Sequence, residues 1–141
     1  MFAGIHTAIV TPFKNGQVDV EALKKIVDFQ FDNGVQGIVP CGTTGESPTL
    51  DHEEHLEVIK LAVQFAKGRG IVMAGTGSNS TKEAVEMTQE AEAAGANAAL
   101  VVGALVGKGA LGSAPLMGNA VAFFDTHGSL AAGCDVLASA G

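Results

Sequence analysis

The residues of this chain able to do chemistry gather in two glycine-flanked stretches and the acidic run between them. The first stretch is Gly42-Thr43-Thr44-Gly45-Glu46-Ser47, two adjacent hydroxyls between glycines. Glycine lets a backbone approach a ligand closely and adopt angles that other residues avoid. The amides and hydroxyls of Thr43 and Thr44 can then donate to a small anion such as a carboxylate. The same residues also make an ordinary Ser/Thr-rich tight turn with no ligand. The second stretch is Gly75-Thr76-Gly77-Ser78-Asn79, and between the two lies Asp51-His52-Glu53-Glu54-His55. Nucleotide chemistry fits poorly. Gly75 to Ser80 lacks the third glycine of a dinucleotide fingerprint, and Gly103 to Gly109 has one residue too few before its Gly-Lys, with no Ser or Thr after it. His52 and His55, three apart on one helix face, do not make the His-Glu-x-x-His zinc pattern. Two solvated histidines at a helix start are the plain alternative.

Alternating elements hold these stretches. His6 to Phe13 is β-branched and apolar and reads as a first strand, and Asn15-Gly16 is a turn signal. Asp19 can cap a helix with Leu23, Ile26, Val27 and Phe31 at helical spacing, ended by Asn33-Gly34. Gly37 to Cys41 reads as a second strand feeding the Thr-Thr loop. Asp51 and Glu54 can form a capping box for a second helix, whose buried face is expected at Leu56, Ile59, Val63 and Ala66 and whose end is Gly68 to Gly70. Ile71 to Ala74 is a third strand. Ser80 to Glu83 reads as another capping box, opening a third helix to about Ala94, and Asn97 to Val102 begins a fourth strand.

Strand–helix alternation with short loops means a parallel sheet with right-handed crossovers. The fold class is therefore α/β: a partial (β/α)8 TIM barrel of three βα units plus strand four, or alternatively an open flavodoxin-like parallel sheet. A whole barrel takes about 250 residues, more than the 141 here. In either case loops after the strands share one rim, where binding sites sit. Ser47, His52 and His55 from one unit then neighbour Asn79 and Glu83 from the next. A carboxylate, an amide and two imidazoles suit a small zwitterionic or cationic ligand.

Two segments follow: 1–102 as the half-barrel, and 103–141 as a divergent Gly/Ala-rich tail. The tail carries only Lys108, Asp125 and Asp135 as charges. Asn119 to Phe124 reads as a strand and Ser129 to Ala140 as a short helix. Little apolar area stands against the ordering entropy, so weak order is expected there. The net charge is −7 with a single arginine, Arg69, which disfavours nucleic acid and anionic membranes as partners. No apolar run is long enough to span a bilayer, and Met1 to His6 shows no secretory pattern. Cys41 and Cys134 are isolated, giving neither a disulfide framework nor metal spacing, so a cytoplasmic setting is expected.

Met1-Phe2, then Thr7-Ala8-Ile9-Val10-Thr11-Pro12-Phe13, Gly42-Thr43-Thr44-Gly45-Glu46-Ser47 and Gly75-Thr76-Gly77-Ser78-Asn79 resemble the N-terminal part of the dihydrodipicolinate synthase (4-hydroxy-tetrahydrodipicolinate synthase) group. That group belongs to the pyruvate-dependent class I aldolases, with N-acetylneuraminate lyase as a sibling. The resemblance covers residues 1 to about 102, and Thr-Thr in the motif favours the synthase. It implies a (β/α)8 barrel and a carbon–carbon lyase of lysine biosynthesis, in which pyruvate forms a Schiff base with a barrel lysine and then attacks aspartate semialdehyde. No further cofactor is implied, and a homo-oligomer is expected. Thr44 matches the residue that helps hold the pyruvate carboxylate. Thr43 matches a catalytic hydroxyl linking two tyrosines in a proton relay. Ser47, Leu50, His52, His55, Asn79 and Glu83 match the feedback site for L-lysine, at a tight-dimer interface. The departures lie past strand four. A Thr-Pro-Tyr-Tyr segment is expected, and Val101-Val102-Gly103-Ala104-Leu105 stands instead. The chain has no tyrosine. The Schiff-base lysine of the family lies on a later strand, and Lys108 matches nothing. A Schiff base needs an amine in a pocket that lowers its pKa, so the chain by itself is expected to be inactive. The competing reading is a non-catalytic α/β module.

Overall fold

The computed structural model describes residues 3–102 and the backbone of two later strands, 119–124 and 130–136. Strand β1 (His6–Ala8) is followed by a small hairpin, β2 (Phe13–Lys14) and β3 (Gln17–Val18), then helix α1 (Val20–Asp32) and strand β4 (Gly37–Val39). Two 3-10 turns (Thr43–Gly45 and Ser47–Thr49) lead into α2 (His52–Ala66). Strand β5 (Ile71–Gly75), helix α3 (Thr81–Ala93) and strand β6 (Ala98–Val102) complete the alternation, and β7 (Asn119–Phe124) and β8 (Leu130–Val136) follow.

Local chemistry explains the boundaries. Asn15 and Gly16 both take positive φ, 54° and 80°, the requirement of the two-residue hairpin turn that matches strand twist. The expected first strand is thus divided between β1 and this hairpin. The Asp19 side chain accepts from the Ala22 amide and caps α1, while Gly34 turns left-handed at φ 84° to end it. Asp51 and Glu54 form the full reciprocal capping box of α2. The expected box at α3 is half made. Ser80 accepts from the Glu83 amide, but the Glu83 carboxylate takes the Ser78 hydroxyl at 2.6 Å instead of reaching back.

The sheet order is β1-β4-β5-β6-β7-β8. β1, β4, β5 and β6 are parallel, with Thr7 opposite Ile38, Ile38 opposite Val72, and Ala74 opposite Ala99. Neighbours in space are neighbours in sequence, whereas a flavodoxin-like sheet orders its strands 2-1-3-4-5. The parallel part is therefore a barrel segment. Successive strand residues point to opposite faces. Ile38, Val72 and Ala74 join Leu23 and Val27 of α1, Val58, Ile59, Ala62 and Phe65 of α2, and Ala91 of α3 in one core. Val39, Met73 and Ala98, with Leu100, cluster separately. All three helices thus cover one face of the sheet.

Past β6 the direction reverses: β7 pairs antiparallel with β6, and β8 antiparallel with β7. The helix expected at Ser129 to Ala140 is corrected here, since Leu130–Val136 is strand. An alanine-rich segment has little phase of its own, and it pairs with the open backbone edge of β7. The remaining expectations for the tail fall on 103–118, 125–129 and 137–141, outside the described residues.

Candidate functional site

The carboxyl ends of β4 and β5 build the site. After Val39 the chain passes through Pro40 and Cys41, and Cys41 takes φ 56°, a left-handed conformation unusual for a residue with a Cβ. The Thr43–Gly45 turn is closed by the Gly45 amide on the Gly42 carbonyl at 3.0 Å and the Glu46 amide on the Thr43 carbonyl at 3.1 Å. Glu46 is also left-handed, at φ 56°. The turn is pinned from behind: the buried Thr11 hydroxyl donates to the Gly45 carbonyl at 2.7 Å. A Cβ on Gly45 would lie 3.1 Å from the Ile9 carbonyl oxygen, so glycine keeps the turn close to β1. Thr43 and Thr44 are exposed at the strand rim. Opening residues of a helical turn leave amides without an intrahelical acceptor, which suits them to an incoming carboxylate.

Behind that turn lies a cleft of about 460 Å³ between the α2 and α3 starts, within the range of about 300–1,000 Å³ typical of small-ligand pockets. Ser47, Leu50, His52, His55, Asn79 and Glu83 all line it. Sequence spacing also left out Pro48, Asp51, Gly77, Ser78 and Met87, which complete the lining. Asp51 was legible only as a cap; Pro48, Gly77 and Ser78 carried no signal beyond their place in the loops, and Met87 none beyond its place in α3. Thr43 and Thr44 are not among the lining residues.

The two histidines differ. His55 is buried, 5% exposed, which corrects the alternative of two solvated rings. Its Nε2 lies 2.6 Å from the Gly75 carbonyl oxygen. A carbonyl only accepts, so Nε2 carries the proton and Nδ1 is the acceptor when the ring is neutral. Burial lowers the His55 pKa, against the raising effect of the Gly75 bond, and nearby His52 lowers it further. His52 is exposed, and its Nε2 sits 2.8 Å from Glu90 Oε2, tying α2 to α3. With the rings on different partners they do not form a metal pair, and no cluster of ligating side chains suited to a metal occurs among the described residues. Burial pushes the Cys41 thiol up to about 12, so it is a packed hydrophobe at neutral pH rather than a nucleophile. Lys108 lies outside the described residues. No helix among the described residues is long and apolar enough to cross a membrane.

Comparison with known proteins bears on what this rim can do. The dihydrodipicolinate synthetase family matches residues 1–110. The 4-hydroxy-tetrahydrodipicolinate synthases of Pelagibacter ubique (strain HTCC1062) and Geotalea uraniireducens (strain Rf4) are 60% and 62% identical over 102 residues, covering 72% of this chain and 35% of theirs. The solved 4-hydroxy-tetrahydrodipicolinate synthase of Methylacidiphilum fumariolicum SolV is 49% identical at a TM-score of 0.71, over 72% of this chain and 34% of that one. The dihydrodipicolinate synthase of Aquifex aeolicus is 55% identical at a TM-score of 0.70, with the same two coverages, 72% and 34%. The chain thus spans about a third of the length of the curated relatives it matches.

Proposed function

The chain belongs to the dihydrodipicolinate synthetase family, and we propose that it carries two of that enzyme's binding elements without the means to turn over alone. The first is the Thr43–Thr44 turn, with Thr44 holding the carboxylate of pyruvate and Thr43 presenting its hydroxyl to the reacting pair, pyruvate and aspartate semialdehyde. The second is an effector site for L-lysine at Ser47, Leu50, His52, His55, Asn79 and Glu83. One observation carries the effector-site reading: residues from two successive βα units line a single cleft of small-ligand size. Its groups suit a cationic amino acid. Glu83 and Asp51 supply negative charge, and neutral His55 offers Nδ1 as an acceptor. The family segment runs to about residue 102, and 103–141 is a separate tail. The reading sets the chain in the cytoplasm as a homo-oligomer, with the buried Cys41 a free thiol.

Turnover needs an activated amine, and no lysine lines the cleft or belongs to the Thr43–Thr44 turn. Lys24 pairs with Asp28 at 2.6 Å, Arg69 with Asp28 and Asp32, and Lys82, next to Glu83, lies 3.7 Å from Glu86. The chain also has no tyrosine for a relay. Incubation with pyruvate and borohydride, followed by intact-mass measurement, tests this. An unchanged mass is expected, and a reduced pyruvate adduct would overturn the claim of inactivity. The reversal of strand direction after β6 favours a second reading, a non-catalytic α/β module whose sheet ends in an antiparallel hairpin. In that module pyruvate and lysine should both fail to bind.

A further inference from the structure

The sheet ends in the β7–β8 hairpin on one side and in β1 on the other. Among the described residues β1 pairs only with β4. The Ile5 carbonyl accepts from the Gly37 amide at 3.2 Å, and the Ile9 amide donates to the Val39 carbonyl at 3.1 Å. Backbone groups alternate in direction along a paired strand, so Ala8 turns its amide and carbonyl away from β4. Ala8 is exposed. From Ile5 to Val10 the chain carries no lysine, arginine, carboxylate or proline, the residues that protect a solvent-facing edge from pairing. Helix α1 continues this flank. Its core stripe is Leu23 and Val27, and a second stripe, Ala22, Lys25, Ile26 and Phe29, follows helical spacing beside it. Lys25, Ile26 and Phe29 line a groove of about 370 Å³ with Ala8, Ile9 and Val10. Ile5, Val10 and Phe29 are 67%, 50% and 64% exposed. An apolar stripe that runs beside an unpaired edge marks an interaction surface.

We propose that this flank is a two-fold interface with a second copy of the chain. The inference rests on the homo-oligomer of the reading above and gives it a surface away from the cleft. β1 pairs antiparallel with β1 of the second copy about Ala8, and the two α1 stripes pack across the junction. A two-fold axis at Ala8 sets the outward amide and carbonyl of each copy against those of the other, the hydrogen-bonded pair of an antiparallel ladder. The same axis makes the α1 helices antiparallel. At the level of the groove it brings Lys25 of one copy to Phe29 of the other, a cation against a ring rather than against a second cation. Leu23 and Val27 share a core with Ile9 and with Ile38 of β4, so each α1 sits over the β1–β4 pair. The two helix axes then stand about 10 Å apart across the junction, an ordinary packing distance. The far end of the parallel segment selects this occupant over further barrel units. Those units would pair at both ends of the segment to close a barrel, and β7 already holds the outer edge of β6. A second copy needs β1 alone.

The test is the mass of the full chain in solution, by sedimentation equilibrium over a concentration series. The parent should associate reversibly, and Phe29→Lys should raise the dissociation constant at least about tenfold. Phe29 lies outside the core, so circular dichroism of this variant should match the parent. Cα atoms of a hydrogen-bonded antiparallel pair lie about 5.5 Å apart, within disulfide range. Mild oxidation of Ala8→Cys should therefore link two copies at that position, as peptide mass mapping would show. A parent that associates while Phe29→Lys associates equally well would overturn this interface and leave the homo-oligomer standing, and so would a dimer that Ala8→Cys does not link at that position. A monomeric parent would overturn both. Uptake of the Aquifex aeolicus synthase segment beyond the matched residues by that monomer would then assign the edge to barrel units instead.

Discussion

Replacing Gly75 with alanine tests the close approach of β5 to the Cys41–Gly42 backbone through its energetics. The added Cβ would lie 2.1 Å from the Cys41 oxygen, 2.5 Å from the Cys41 carbon and 2.8 Å from the Gly42 nitrogen. All three are backbone atoms, so no side chain can swing aside. Forcing a methyl group into a packed site costs about 1–3 kcal/mol. Losing or bending the 2.6 Å bond from His55 adds about 1 kcal/mol. Against this, alanine restricts the unfolded chain and returns about 0.4–1 kcal/mol. The sum is a loss of about 1–3.6 kcal/mol, or about 3–14 °C in Tm for a domain of this size. Gly42→Ala is the control. Its Cβ would meet only Val39 Cγ1 at 3.9 Å, and its φ of −78° suits any residue, so its effect should stay within about 0.5 kcal/mol. The assay is urea unfolding followed by circular dichroism. Equal midpoints for the two variants would refute the argument from close approach.

Three further outcomes follow from named contacts. Asp51→Ala removes the capping box at α2 and should cost about 1 kcal/mol in the same unfolding assay. The buried hydroxyls of Thr76 and Thr88 meet at 2.8 Å; Thr76→Val strands its partner and should cost about 1–3 kcal/mol, and Thr76→Val with Thr88→Val together should recover most of that loss. Stability against pH should show a plateau bounded by two buried groups. His55 has a pKa lowered from 6.5, so the unfolded chain binds the proton more readily and stability falls as pH drops through and below 6.5. Cys41 is raised from 9.0 to about 12, so the unfolded thiol ionises first and stability falls as pH rises above 9.0. Cys41→Ala should remove the alkaline fall, as thermal melts from pH 5 to 10 would register.

Much of the site was legible because it is built from local chemistry. Asp19, Asn33-Gly34 and the Asp51–Glu54 box mark helix ends whatever the fold, and alternation fixed the common rim that brings Ser47 and His55 to Asn79 and Glu83. The burial of α2 was less legible. Leu56 and Val63 were expected inside, yet His55, Val58, Ala62 and Phe65 are buried while Leu56 and Val63 are only partly so. Apolar residues occupy more than half the circumference of this helix, so periodicity leaves its phase open, and the core under β4 and β5 decides it. The left-handed turn at Cys41 had no signal, because the constraint is the distant Gly75. The β7–β8 hairpin was half legible: β7 carries aromatic and β-branched residues, whereas β8 takes its conformation from the edge it joins.

Calorimetric titration of L-lysine into the purified chain, beside Glu83→Gln, tests the central claim most directly. The account predicts saturable binding by the parent chain and at least about tenfold weaker binding by the variant, the loss expected from removing one charged hydrogen-bond partner. An absence of heat from the parent, or equal affinity in both, would contradict it.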